Sequence, residues 1–387
     1  MKRIILNIIV FTLFGSGLFA CSDWVEVEPE NYYKPKSDAY YKALREYKKS
    51  KHQVTFGWFG NWTGTGASLR GSLMGLPDSV DFVSMWGNWH SLSPEKWADK
   101  EEAKRLKGLR VLMCFIVASI GDQTTPEWVR DRENWLQLQD PNGDGENEFN
   151  VDSESAAVNA FWGYKEGDQI AMDTSIRRYA RSIVDTIDKY QWDGFDYDYE
   201  ANYTHPGNIA GPAYGDYGDP ATNRRRTNFK TFVEELGKYL GPKSGTDRML
   251  VIDGEPQNMH PDVRDYFDYY IIQAYESPGY YDLDSRYQKL LKGLEANTPE
   301  LIERVSSKLI WCENFEQVGY ADNGGYTNHV TRDGKGVPSL VGMALWQPSN
   351  GYTKGGIGTY HMEYDYKNNP EYKWLRMATG LMNPYIE

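Results

Sequence analysis

The sequence is short of cysteine, of histidine and of positive charge, and each shortage closes a class of function. Its 387 residues include 3 Cys and 6 His, with no His/Cys cluster to hold a catalytic metal, so no metal and no cofactor is expected. Lys and Arg number 42 against 55 Asp and Glu, a formal net charge of −13, which argues against nucleic acid or an anionic membrane surface as partner. A neutral ligand fits better. Cys114 and Cys312 lie in apolar runs, "LRVLMCFIV" and "KLIWCENF". They read as two buried thiols, with a disulfide as the alternative in an oxidising compartment.

What the chain has in quantity is aromatic surface, with 13 Trp and 29 Tyr. Such residues fill cores, and they also suit stacking on the apolar faces of sugar rings. The N-terminus reads as a targeting segment: Lys2 and Arg3 precede an apolar run to Ala20, too short to span a bilayer comfortably. It ends in Leu18-Phe19-Ala20-Cys21, which resembles a bacterial lipobox and makes Cys21 the lipidated first residue of the mature chain. Residues 1–20 are thus expected to be removed. Residues 21–49 form an N-terminal segment whose first part, 22–37, carries Asp23, Glu26, Glu28 and Glu30 as an acidic tether. Acids just behind the lipid-bearing Cys resemble the export signal of some Gram-negative surface lipoproteins. The expected location is therefore the outward face of an outer membrane, held by a lipid anchor.

From residue 50 to 387 one domain is expected. Short apolar runs at 54–59, 80–86, 109–117, 193–200, 248–254, 266–275, 308–315 and 340–346 read as eight strands. Amphipathic stretches alternate with them. Ser93-Pro94 opens one helix with an N-cap and a proline at the first turn. Ile176, Tyr179, Ile183 and Ile187 repeat at helical spacing in another, and Phe229, Phe232, Val233 and Leu236 in a third. Eight buried strands alternating with helices predict an α/β fold, a (β/α)8 TIM barrel with long loops at its C-terminal face. An open doubly wound sheet would need a phosphate-binding turn after the first strand. "FGNWTGTGAS" (59–68) offers glycines there but neither the lysine nor the G-x-G-x-x-G spacing.

The fourth strand poses the functional question. In "DGFDYDYE" (193–200), Asp196, Asp198 and Glu200 share one parity and Phe195, Tyr197 and Tyr199 the other. Alternate residues stand about 6.6 Å apart along a strand, so the three carboxylates span roughly 13 Å and point one way. Burying one unpaired carboxylate costs several kcal/mol, and neighbours of like charge add repulsion. Folding alone would not select this pattern; a wet acidic edge strand would carry it, but not behind a good helix and with aromatics on its other face. The chemistry that does want it pairs a carboxyl kept protonated near neutrality with an ionised neighbour, as glycoside cleavage requires.

This octapeptide resembles the D-G-x-D-x-D-x-E signature of glycoside hydrolase family 18, and the resemblance extends through strand order over about residues 50–375. It implies a retaining mechanism in which the substrate's own 2-acetamido group attacks the anomeric carbon and forms an oxazolinium ion. Glu200 would then be the general acid and base, Asp198 would orient the acetamide, and Asp196 would support Asp198. "QAY" (273–275) resembles the family's Gln/Met-x-Tyr, which gives Tyr275 a hydrogen bond to the acetamido carbonyl with Gln273 beside it. "LW" (345–346), read as the end of strand eight, would make Trp346 the floor under the reacting sugar. Trp58, Trp86 and Trp311 also fall near strand C-termini, where they line subsites or pack the core.

Within this family the chain is expected to be an endo-β-N-acetylglucosaminidase that cuts the GlcNAc-β1,4-GlcNAc core of N-glycans on glycoproteins. The alternatives are a chitinase, or a surface protein that binds glycans on the same barrel without cleaving them. Glu200 favours an enzyme. The long loops at 118–172, 201–220 and 316–336 suit a branched oligosaccharide better than an open groove does. "DPNGDGENEF" (140–149) matches the opening of a calcium loop at Asp140, Asn142 and Asp144, but Val151 stands where its last acid should be. An Asx-rich turn is the expected reading of 140–151.

Overall fold

The computed structural model describes residues 35–384 apart from Ala67, Asn88, 204–206 and 212–218. Cys21 and the targeting segment lie outside the described residues. Among those described, no helix is long and apolar enough to cross a membrane.

Eight parallel strands close into a barrel: β1 Val54–Phe59, β2 Phe82–Met85, β3 Arg110–Ile116, β4 Gly194–Tyr199, β5 Met249–Gly254, β6 Tyr269–Gln273, β7 Leu309–Asn314 and β8 Gly356–Tyr360. Neighbours pair in sequence around the ring, and β8 closes it between β7 and β1. The helices outside are α1 Asp38–Lys49, α2 Pro94–Lys107, α3 Gln169–Tyr190, α4 Pro220–Leu236, α5 Tyr280–Gly293, α6 Pro299–Lys308, α7 Ser339–Leu345 and α8 Lys373–Met382. Their ends follow the sequence. Ser93 caps α2 through the N–H of Lys96 and Gly108 ends it in the left-handed region, while Asp168 caps α3 and Asp219 caps α4. The connection from β5 to β6 carries only 3-10 turns. The long connection after β3 is partly helical, with short helices Glu127–Arg130, Trp135–Gln139 and Glu154–Trp162.

Strand parity sorts the side chains into two cores. Phe56, Trp58, Phe82, Leu112, Cys114, Val251, Ile271, Ile310 and Cys312 fill the inside of the barrel. The opposite parity packs outward against the helices, and there Tyr197 meets Phe229 at 5.7 Å and Phe232 at 5.6 Å between ring centroids, both on α4. Cys114 and Cys312 are both free thiols, buried in the inner core.

One expected strand is not a strand. Residues 340–346 belong to α7 and the residue that ends it, and the eighth strand is Gly356–Tyr360. A buried apolar run of this length has no periodicity to separate helix from strand, and the true strand reads as a poor one because it is rich in glycine. Gly358 is required there by proximity: a Cβ would stand 2.7 Å from Phe56 Cδ1 and 2.8 Å from Cys312 Sγ. Trp346 therefore sits at the end of α7, 2% exposed, with its ring 5.3 Å from Trp311 and 5.5 Å from Tyr287. Trp311 has the outward parity of β7, so both indoles belong to the layer between barrel and helices. Trp346→Ala is expected to cost about 3–5 kcal/mol of stability by opening a cavity in that layer. Urea denaturation will show the loss, and KM will stay unchanged; a raised KM with native stability would return Trp346 to the site.

Candidate active site

The C-terminal ends of the strands surround a cavity of about 690 Å³, lined in its depth by Asp198, Asp253, Trp58 and Tyr275 and nearer its rim by Glu200, Glu255, Arg286 and Lys289. The acids descend into the barrel along β4. Asp196 is deepest and fully buried, Asp198 is 2% exposed, and Glu200, just past the strand, stands on the cavity wall. The register sets their neighbours: Asp196 lies beside Cys114 and Val251, and Asp198 beside Ile116 and Asp253. Asp196 accepts a 2.6 Å hydrogen bond from Ser84 Oγ on β2. Gln273 donates from Nε2 to Asp253 Oδ1 at 3.2 Å and also bonds Glu200, linking the wall to the interior.

Burial dominates the electrostatics. Desolvation pushes Asp196 up to about 6 against the hydrogen bond from Ser84. It raises Asp198 well above the carboxylate range, with the charges of Glu200 and Asp196 adding to the effect. Glu200 is raised for the same reason, with Glu255 opposing its charge and Gln273 favouring it. A carboxyl that keeps its proton toward neutrality can donate it to a leaving group.

Space for Glu200 is made by Gly254, the last residue of β5, with φ +84°. A side chain there would stand 2.7 Å from the Tyr199 carbonyl oxygen and 3.1 Å from Glu200 Cγ. Tyr275, half-buried just past β6, has its hydroxyl pKa raised by burial, so it is a hydrogen-bond donor at any working pH. The turn behind it is held by Glu313, which accepts the Glu276 N–H at 3.1 Å.

Of the four tryptophans singled out in the sequence, Trp58 and Trp86 line the cavity and Trp311 and Trp346 do not. The aromatic that β8 supplies is Tyr360, 5.6 Å from Trp86, 6.1 Å from Trp58 and 6.4 Å from Tyr275 between ring centroids. Trp86 donates to the Tyr360 hydroxyl, which burial raises to about 12. Sequence reading missed Tyr360 because it placed strand eight elsewhere. It also missed Asp253, although the parity argument used for β4, applied to "RMLVIDG", would have turned Asp253 inward beside the other acids. The cationic rim residues Arg286 and Lys289 come from α5 and carry no motif. Away from the site, Asp140 accepts backbone N–H groups from Gly143 (2.8 Å), Asp144 (3.1 Å) and Gly145 (2.7 Å), the geometry of an Asx-rich turn.

The raised Asp196 pKa has a consequence for stability. A carboxyl whose folded-state pKa exceeds its unfolded value contributes most below the unfolded value, and the contribution is lost as pH rises from 3.8 to about 6. Asp196→Asn has no charge to bury, so it should flatten the fall in unfolding free energy across that window. Denaturation curves at a series of pH values test this, and a variant that follows the wild-type slope would remove Asp196 as the cause.

The chain and its fold are similar to known proteins. The family description "Glycoside hydrolase family 18, BT1044-like" matches residues 21–146 and 144–381. Endo-beta-N-acetylglucosaminidase F2 of Elizabethkingia meningoseptica is 24% identical over 327 residues, covering 83% of this chain and 76% of its own length. A solved structure of BT1044, in selenomethionine form with a glutamate replaced by glutamine, superposes with a TM-score of 0.70 at 32% identity, over 91% of this chain and 94% of that one. The apo endo-beta-N-acetylglucosaminidase from Cordyceps militaris shares the fold, with a TM-score of 0.56 at 20% identity over 91% of this chain and 98% of that one. With the signature acids of β4 inside a closed barrel and most of the chain matched, this protein belongs to glycoside hydrolase family 18, in its BT1044-like group.

Proposed function

We propose that the protein is an endo-β-N-acetylglucosaminidase that hydrolyses the GlcNAc-β1,4-GlcNAc core of N-glycans with retention, through an oxazolinium intermediate. The observation that carries the proposal is the graded line of acids on β4, with Glu200 on the cavity wall and Asp198 and Asp196 progressively deeper behind it. The relative named endo-beta-N-acetylglucosaminidase F2 supports the choice of bond.

In this reading the acetamido oxygen of the sugar in the −1 position attacks C1 while Glu200 gives its proton to the departing glycosidic oxygen. The C1–O bond breaks, and the positive charge spreads over the oxazolinium ring. Asp198 accepts the acetamide N–H and, as an anion, stabilises that charge. Tyr275 donates its hydroxyl proton to a hydrogen bond on the acetamido oxygen and so fixes the attacking geometry. Trp58, Trp86 and Tyr360 give the sugar apolar faces to stack on. Glu200, now ionised, takes a proton from the water that opens the ring and returns to its starting state. Its raised pKa keeps the first proton available, and turnover should fall as pH rises through that pKa.

Mass spectrometry of products from glycoproteins bearing high-mannose or complex N-glycans, and from chitin oligomers, tests the proposal. The expected products are glycans ending in one GlcNAc with one GlcNAc left on the protein, and Glu200→Gln should lower kcat by about 10²–10⁴. Cleavage of chitin oligomers alone would make the protein a chitinase. Binding without cleavage would make it a glycan-binding protein.

We also propose that the protein is a lipoprotein anchored through Cys21 and displayed on the outer membrane of a Gram-negative cell. Fatty-acid labelling should mark the wild type and not Cys21→Ser, and equal labelling would rule the anchor out.

A further inference from the structure

Three carboxylate oxygens in the barrel interior are buried with no hydrogen-bond donor supplied to them: Asp196 Oδ1, Asp198 Oδ1 and Asp253 Oδ2. An orphaned buried acceptor costs roughly 1–3 kcal/mol, and more when it is charged. Three of them in one place call for a common explanation. The three side chains are within hydrogen-bonding reach of one another through Asp253, which meets Asp196 on one side and Asp198 on the other. A proton on a carboxyl of this group converts an orphan acceptor into a donor and satisfies a second at the same time.

We propose that Asp253 is a positioning residue for the catalytic acids: its carboxyl keeps a proton and donates it in a hydrogen bond to Asp198, leaving Asp198 free to hold the negative charge the reaction needs. The inference rests on the role given to Asp198 above.

Geometry selects Asp253 as the carrier. It is fully buried, lies in register beside Asp198, and faces no cation among the groups that act on it most strongly. Around it stand Cys114 on β3, Asp196, Asp198 and Glu200 on and just past β4, Gln273 on β6 with Tyr275 beyond it, and Cys312 on β7. Gln273 already donates to its Oδ1, so Oδ2 is the oxygen left to carry the proton. Asp196, by contrast, receives the Ser84 hydroxyl, which stabilises its anion. Burial and the neighbouring acids raise Asp253 well above its ordinary value, in agreement. Cys114 Sγ and oxygens of Asp196 and Asp253 lie within 4.8 Å of one another. Burial holds that thiol protonated, which is the wrong state for a metal ligand and the right one for a proton-sharing cluster.

The direct test needs no substrate. In protein labelled with carbon-13 at the aspartate carboxyls, the resonance lost in Asp253→Asn belongs to Asp253. It is expected to stay at the protonated-carboxyl position through neutrality, and an ionised shift there overturns the proposal whether or not the bond cleaved is the one proposed. Kinetics supply the second arm, on whichever substrate the wild type cleaves. Asp253→Ala should lower kcat about 10- to 100-fold with little change in KM, the loss of one hydrogen bond to a charged group. The acid limb of its kcat profile should move to higher pH, because Asp198 without a donor ionises less readily. The amide of Asp253→Asn can still donate, so it should recover most of the loss and return the limb toward its wild-type position. If the asparagine variant is no better than alanine, or if both lose thermal stability with the limb unmoved, Asp253 serves packing only.

Discussion

Carboxylates placed together in a dry interior repel one another and resist desolvation, and most of the features around the site follow from that one conflict. The barrel holds Asp196, Asp198 and Asp253 almost wholly out of water, with no cation among the groups that act most strongly on Asp253. What offsets the conflict is local: a serine hydroxyl on Asp196, a glutamine amide shared between Asp253 and Glu200, and retained protons. The same conflict is what makes the site useful. A stack of acids that cannot all be ionised retains protons toward neutrality, and a carboxyl that keeps its proton can act as a general acid.

The rest of the fold keeps this arrangement in place. Parallel strands with helices outside require two apolar cores, and parity assigns each residue to one of them. The aromatics of β4 that share no face with the acids lock the strand against α4, so the acids cannot rotate out toward solvent. Trp311 and Trp346 do the same work on the opposite side of the barrel, where α7 packs over β7 and β8. Close approach of β8 to its neighbours, made possible by Gly358, closes the ring and brings Tyr360 to the cavity. Gly254 leaves Glu200 its position at the end of β4.

How much was legible before the structure depended on whether a signal was local. The β4 motif carried both parities within eight residues, so the inward acids and the outward aromatics could be read together. Helices with caps and clear periodicity, α2, α3 and α4, could be read for the same reason. The eighth strand could not. "LVGMALW" is apolar enough to be either element, and "GIGTY" reads as a poor strand because of Gly356 and Gly358, which let it pass closely by Val54 and Cys312. The position of Trp346 was lost with it, and Tyr360 was overlooked.

The sequence by itself determined the first seven strands of the barrel, the acids on one face of the fourth, and the Gln-x-Tyr at the end of the sixth, because each depends on spacing along the chain. Only the tertiary structure decided which strand closes the barrel, which tryptophans face the cavity, and that Asp253 stands beside Asp198. Those facts depend on register between strands far apart in sequence. A shift of one residue in register or parity moves a side chain from the cavity to the outer layer, as the places of Trp58 and Trp311 show.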